Sequence, residues 1–297
     1  MMQSEADPTR NDSQQAAPRV VCLCSLTRMG SSVTAYAAAH AVGATVLDEP
    51  LGPWDRTGPP YHYPAVQNDV RSAFNRSKGT LNAEVSGLLR TLAAEVGTRV
   101  VVKLPHLQVG PAELTEHLPD WPVVYLLRNP LKRLNSLYTR RWNHFTRPRF
   151  DLETTREFLR RWLDTPPPRR ALFEDLQRDP RRFFAGLFEG WGWPSDAATA
   201  ARAASYRAKN YHESSAEKHP GRSPSGVLSD HRRHVPLEAV RTYLNDPLIR
   251  ACCVRLGWST DPACYSEENA SDTSDVPADL AERIRREPVA EPGQPSP

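Results

Sequence analysis

The sequence predicts an α/β protein with a central parallel sheet flanked by helices and a mostly helical C-terminal half. Three observations predict it. Residues 19–24 (RVVCLC), 99–103 (RVVVK) and 122–127 (PVVYLL) are short apolar runs rich in β-branched residues. None alternates apolar with polar, so each reads as a strand covered on both faces. Stretches with helical periodicity separate the runs, and strand–helix–strand alternation belongs to parallel sheets with right-handed crossovers.

The first run opens into a Gly/Ser-rich turn at 25–32, then an alanine-rich helix over 31–40. Residues 45–47 (TVL) read as a weaker fourth strand. Apolar residues at helical spacing predict a helix over 81–95, before the second run. Beyond the third run, helices are predicted over 133–142, 154–163, 181–191, 197–209 and 237–256. Residues 1–18 are polar and lack the apolar stretch of a secretory signal. Residues 266–297 accumulate Ser, Asp, Glu and Pro. Both ends read as disordered tails, the second with a short helix near 277–286, around a folded unit at 19–265. No repeat is present, and no apolar run approaches the length of a membrane span, so no membrane partner is expected.

The 297 residues carry 38 basic and 35 acidic side chains, a formal net charge of +3. That balance argues against nucleic acid as a partner while leaving room for a few arginines around a small anion. Five cysteines in a long chain do not read as a disulfide framework. No Cys-x-x-Cys pair supports a structural zinc site. The cysteine usage therefore points to a reducing cytoplasm. Cys22 and Cys24 lie two apart on a predicted strand and read as small buried side chains on one face. Oligomeric state leaves no mark in the sequence.

Two places carry chemistry. The turn Ser25–Ser32 joins a strand end to a helix start, which aims backbone N–H groups at whatever lies above the strand. Gly30 suits a tight backbone, Ser31, Ser32 and Thr34 add hydroxyls, and Arg28 adds a fixed cation. The Walker pattern G-x-x-x-x-G-K-[ST] is absent, so nucleotide hydrolysis of that type has little support. An ordinary capped turn has the same outline. The second place is Arg128-Asn129-Pro130 at the end of the third run, with Ser136 eight residues beyond Arg128. Arginine at a strand end forks onto phosphate, Pro130 suits a first helical turn, and Ser136 is placed to face the same ligand. A plain salt bridge and a surface serine would read alike.

Taken together the two places resemble the PAPS-dependent sulfotransferases, which use 3′-phosphoadenosine 5′-phosphosulfate. In that family an early strand leads into R/K-x-G-[ST]-[ST], which holds the 5′-phosphosulfate; here Thr27-Arg28-Met29-Gly30-Ser31-Ser32 stands in its place. A later strand leads into R-[ND]-P with a serine beyond it, which holds the 3′-phosphate; here Arg128, Asn129, Pro130 and Ser136 match. Phe173-Glu174-Asp175-Leu176 resembles a [YF]-E-D-L segment followed by proline and a helix, and Leu256-Gly257-Trp258 resembles a closing Leu-Gly-aromatic. The resemblance covers about 19–258 and departs at Met29, where many members have a small residue. It implies a P-loop-like sulfotransferase architecture, PAPS as cosubstrate without a metal, and a hydroxyl acceptor on a small molecule or glycan.

Under that resemblance Arg28 stabilises the leaving phosphate and two residues compete as base. Glu49 occupies the place of the carboxylate base used by some members. His106 follows Lys103 by three residues, whereas cytosolic members carry K-x-H. Lys103 is placed near the sulfuryl group at the sheet edge. Glu174 and Asp175, read as adjacent strand residues pointing oppositely, are assigned structural roles. Arg222, in the basic stretch 218–222 near Arg232 and Arg233, is a candidate for the 3′-phosphate. The stretch 50–80 reads as a long loop whose Trp54, Tyr61, Tyr63 and Phe74 suit an acceptor lid, with Trp142, His144 and Phe145 added. The alternatives are a nucleotide-binding protein of the same fold without turnover, and a kinase-like phosphotransferase, which would need the missing Walker lysine.

Overall fold

The computed structural model describes residues 17–51, 66–96, 99–104, 109, 111–139, 148–206 and 235–266. Five strands form one all-parallel sheet: β1 (Val20–Cys24), β2 (Thr45–Asp48), β3 (Val100–Leu104), β4 (Val123–Leu127) and β5 (Arg170–Leu172). Their order is β2-β3-β1-β4-β5. Successive strand residues point to opposite faces, and here both faces are buried. Val20, Cys22 and Cys24 enter one apolar cluster while Val21 and Leu23 enter the other, which is why the strands read as unbroken apolar runs. Cys22 and Cys24 do share a face; burial pushes both thiols up, Cys24 to about 12, so they pack as neutral side chains.

One face is covered by α1 (Ser31–Val42), α8 (Pro180–Trp191) and α9 (Ala197–Ser205). The alanines of α1 let it lie close to the sheet, and Gly43 ends it in a left-handed turn at φ 66°. On α8, Phe183, Phe184, Phe188 and Trp191 form an aromatic wedge, and the Trp191 indole donates to the Cys22 carbonyl at 2.9 Å. The other face is covered by α2 (Val66–Arg76), α3 (Ala83–Val96), α4 (Pro111–His117), α5 (Pro130–Thr139), α6 (Pro148–Asp164), α10 (Leu237–Leu244) and α11 (Pro247–Arg255). A short α7 (Phe173–Arg178) follows β5 directly. Among the described residues no helix is long and apolar enough to cross a membrane.

Three sequence expectations are corrected. The helix expected over 237–256 is two helices. Pro247 has no N–H to continue the first, and the Asp246 carboxylate caps the second by accepting from the Leu248 and Ile249 N–H groups, each at 3.1 Å. Residues 66–76, read as part of a loop, form α2, whose Phe74 is buried in the core and is therefore no acceptor-lid residue. Glu174 and Asp175 lie on α7 and not on a strand, because pairing with β4 stops at Leu172. At the inner ends of the two tails, Pro18 accepts from the Trp193 indole at 2.7 Å, and Ser266 is buried beside Val235. Residues 1–16 and 267–297 lie outside the described residues, and with them the helix suggested near 277–286.

Candidate functional site

Because all five strands are parallel, their C-terminal ends share one edge of the sheet. β1 and β4 are neighbours there. The helix after β1 packs on one face and the helix after β4 on the other. The connections diverge and leave a crevice, the usual ligand position in such sheets. The turn after β1 carries Arg28 and the end of β4 carries Arg128, so the topology brings both sequence anchors to this crevice.

The turn has an unusual backbone. Arg28 sits at φ 71° and Gly30 at φ 86°, both left-handed. For a residue with a Cβ that conformation costs of order 1–3 kcal/mol. Between them Met29 is fully buried in the core, so its side chain anchors the turn and only its backbone is left for a ligand. Gly30 is required twice over. Its φ is positive, and a Cβ there would stand 2.1 Å from Cε2 of Phe173, whose ring covers the turn. The first bond of α1 runs from the Thr34 N–H to the Gly30 carbonyl at 3.1 Å. The N–H groups of Ser31, Ser32 and Val33 precede it at the positive end of the helix dipole, where an anion is favoured.

The second anchor is tied to the first by three bonds. Arg128 donates through Nη1 to the Arg28 carbonyl at 3.2 Å. Arg28 donates through Nε to Ser136 Oγ at 3.1 Å. Arg133, one turn into α5, donates through Nε to the Thr27 carbonyl at 2.8 Å. Asn129 caps α5 by accepting from the Leu131 N–H at 2.9 Å and donates to the Tyr265 hydroxyl at 3.1 Å. The Arg128 guanidinium lies 5.0 Å above the Phe173 ring, a cation–π arrangement. Burial pulls its pKa down from the ordinary arginine value, opposed by the charge of Glu174.

Glu174 is itself buried and accepts the Asn129 N–H at 2.9 Å. Burial raises its pKa above the usual 4.5, against the Asn129 hydrogen bond and the Arg128 and Lys132 charges. A carboxyl raised in the folded state contributes stability below the unfolded pKa and loses it as pH rises through the folded value. Glu174→Gln keeps an acceptor for Asn129 without the charge. Urea unfolding of the two proteins is therefore expected to favour the variant increasingly as pH rises from about 4.5 toward neutrality. A pH-independent difference would contradict this.

A third group lies on the other side of β1. Lys103 is the one charged residue of β3 and is only 2% exposed. Its ammonium donates to Ser32 Oγ at 2.7 Å, lies 3.3 Å from Glu49 Oε1, and makes a close ion pair with Asp48. Asp48 and Lys103 are register partners on β2 and β3. Tyr36 donates to the second Asp48 oxygen at 3.3 Å. Glu49 has a left-handed backbone, φ 58°, which turns the chain as β2 ends.

The crevice thus gathers Thr27, Arg28, Met29, Gly30, Ser31, Ser32, Arg128 and Ser136, and Lys103 with Glu49 beside it. Arg28 is turned toward Ser136 and the second anchor, whereas Lys103 is the cation beside Ser32. His106 and Arg222 lie outside the described residues, as do Trp54, Tyr61, Tyr63, Trp142, His144 and Phe145. Sequence reasoning missed Phe173 as the cover of the turn, Asp48 and Tyr36 around Lys103, and Arg133. One signal was available: Lys103 and Asp48 are lone opposite charges near the ends of two apolar strands.

A cavity of about 790 Å³ also opens between β5 and α8, lined by Pro167, Arg170, Asp175, Arg182, Glu189 and Trp193 among others. None of the described candidate residues lines it, and its charges are mixed, so the crevice is the better site for an anion. Compared with protein-family models, curated proteins and solved structures, the chain matches none.

Proposed function

We propose that the chain is a PAPS-dependent sulfotransferase acting on a hydroxyl acceptor, with the crevice above β1 and β4 as its donor site. The observation that carries this reading is the convergence of Arg28, Ser136 and Arg128, from two segments about a hundred residues apart, at the N-terminus of α1. Two further atoms support a ligand there. Ser25 Oγ and Arg128 Nε are buried at the ends of β1 and β4 with no hydrogen-bond partner among the described residues, which leaves both open to a ligand.

In this reading Arg128 and Ser136 hold the 3′-phosphate, and the Gly30–Ser32 N–H groups hold the 5′-phosphosulfate. Sulfuryl transfer gathers charge on the leaving phosphate oxygen, and the protein lowers the barrier by placing fixed cations there. Lys103, pinned between Ser32, Asp48 and Glu49, is that cation, and Arg28, bonded to Ser136, adds a second positive charge. In this reading Glu49, 3.3 Å from the Lys103 ammonium just past the end of β2, takes the acceptor proton, with His106 as the competing base. The P-loop-like architecture and a cytoplasmic setting belong to the same reading.

The test is release of 3′-phosphoadenosine 5′-phosphate from PAPS, measured with panels of phenols, aliphatic alcohols and sugars. Release that depends on one acceptor class supports transfer. Binding of the product without acceptor-dependent release across the panels would favour a nucleotide binder of the same fold.

A further inference from the structure

The anion turn contains a strained residue, Arg28, and the structure shows what holds it. Two guanidinium groups grip the carbonyls on either side of it: Arg133 bonds the Thr27 carbonyl at 2.8 Å and Arg128 bonds the Arg28 carbonyl at 3.2 Å. Arg128 belongs to the proposed donor site. Arg133 does not; its side chain is buried, 1% exposed, beneath the turn.

Arg133 is in turn fixed from three helices. On its own helix α5 it is aimed at Asp151 of α6, with Nη1 to Oδ2 at 2.7 Å and Nη2 to Oδ1 at 2.8 Å. Nη1 also reaches Thr155 Oγ1 at 3.3 Å. The Tyr243 hydroxyl of α10 donates to the same carboxylate. This is a planar fork filled on two sides by Asp151, which leaves Nε alone to meet the turn. A lysine has one ammonium and cannot serve both partners in that geometry.

We propose that Arg133 is a positioning residue for the anion turn. Together with Arg128 it locks Arg28 in the left-handed conformation that presents the N–H groups of the turn and of α1 to a phosphate or sulfate group. Asp151 and Tyr243 aim it, so the stability of α6 and α10 is passed to the turn through one side chain. The inference rests on the reading of the crevice as an anion site, but its mechanical part does not require PAPS.

Glycine adopts φ near +70° without penalty, so Arg28→Gly removes the need for the clamp. A double-mutant cycle isolates the coupling. Wild type, Arg133→Lys, Arg28→Gly and the double variant are compared in urea unfolding and in calorimetric titration with 3′-phosphoadenosine 5′-phosphate. Arg133→Lys is expected to weaken binding about tenfold with Arg28 present and less than about threefold with Gly at position 28. The same fold-loss in both backgrounds would overturn the proposal. So would a lowered unfolding midpoint with unchanged binding, which is what a purely structural ion pair predicts.

If the wild type does not bind the nucleotide, the donor reading fails, and the clamp is read from unfolding alone. There the two substitutions must be non-additive, and additive midpoints would overturn it. Should Arg133→Lys fail to fold, Arg133→Met with Asp151→Leu and Tyr243→Phe replaces the polar set by apolar side chains. The cycle against Arg28→Gly is then run with that variant, with the same expected and opposing results.

Discussion

Lys103→Met is expected to lower turnover of the proposed transfer by roughly 10²–10³-fold, the usual loss when one preorganised charge is removed from a transition state. It is also expected to destabilise the fold. Lys103 is buried beside Asp48, which is 2% exposed, and removing one member of a buried pair typically costs about 3–5 kcal/mol. The two effects are separable. Adding Asp48→Asn removes the stranded carboxylate and retains an acceptor for Tyr36. Stability measured by urea unfolding is expected to recover in the double variant, whereas PAPS-dependent turnover is expected to stay low. Turnover that recovers together with stability would show that Lys103 only holds the sheet edge.

Asp151→Ala is expected to be the most damaging change outside the crevice. The Arg133–Asp151 pair is bidentate and inaccessible, and Arg133 would keep its charge with no counter-ion. A loss of about 3–5 kcal/mol follows, a large part of the stability of an ordinary domain. The Tyr243 hydroxyl would lose its acceptor as well. A shift in the urea midpoint worth less than about 1 kcal/mol would mean that the pair is not as dry as its burial indicates.

The parts of the fold that were legible are those whose physics is local or repeats along the chain. β1, β3 and β4 are covered on both faces, so burial writes itself as a continuous apolar run. The Gly/Ser turn and the Arg128-Asn129-Pro130 stop stand where strands end, and parallel pairing then brings all such ends to one edge. β5 was not legible, since it has three residues, one of them Arg170, and becomes a strand only by pairing with β4. The α2 helix was hidden by the Pro- and Gly-rich stretch before it, although Val70, Ala73 and Phe74 carry a helical pattern into the core. The break before Pro247 was legible in principle, as Asp-Pro is a common helix start, but the apolar periodicity on either side bridged it.

The site divides in the same way. Arg28, Gly30, Ser32, Arg128 and Ser136 were visible because each lies at a fixed offset from a strand end. Arg133 was not, because its role depends on Asp151, 18 residues along the chain, and on Tyr243, which lies 92 residues beyond Asp151; only the packing of α5, α6 and α10 brings the three together. The environment of Lys103 likewise depends on strand register, which places Asp48 opposite it, and no spacing along the chain encodes that. Phe173 read as the first residue of an acidic segment, and its covering of Gly30 follows from the position of β5.

The central claim is that the crevice above β1 and β4 binds a nucleotide carrying a 3′-phosphate. Calorimetric titration of 3′-phosphoadenosine 5′-phosphate into the wild type and Arg128→Ala, with ATP as comparison ligand, tests it most directly. The account predicts micromolar binding that weakens at least about tenfold, some 1.4 kcal/mol, in Arg128→Ala, and no binding of ATP. Absence of binding, or equal affinity for ATP, would contradict it.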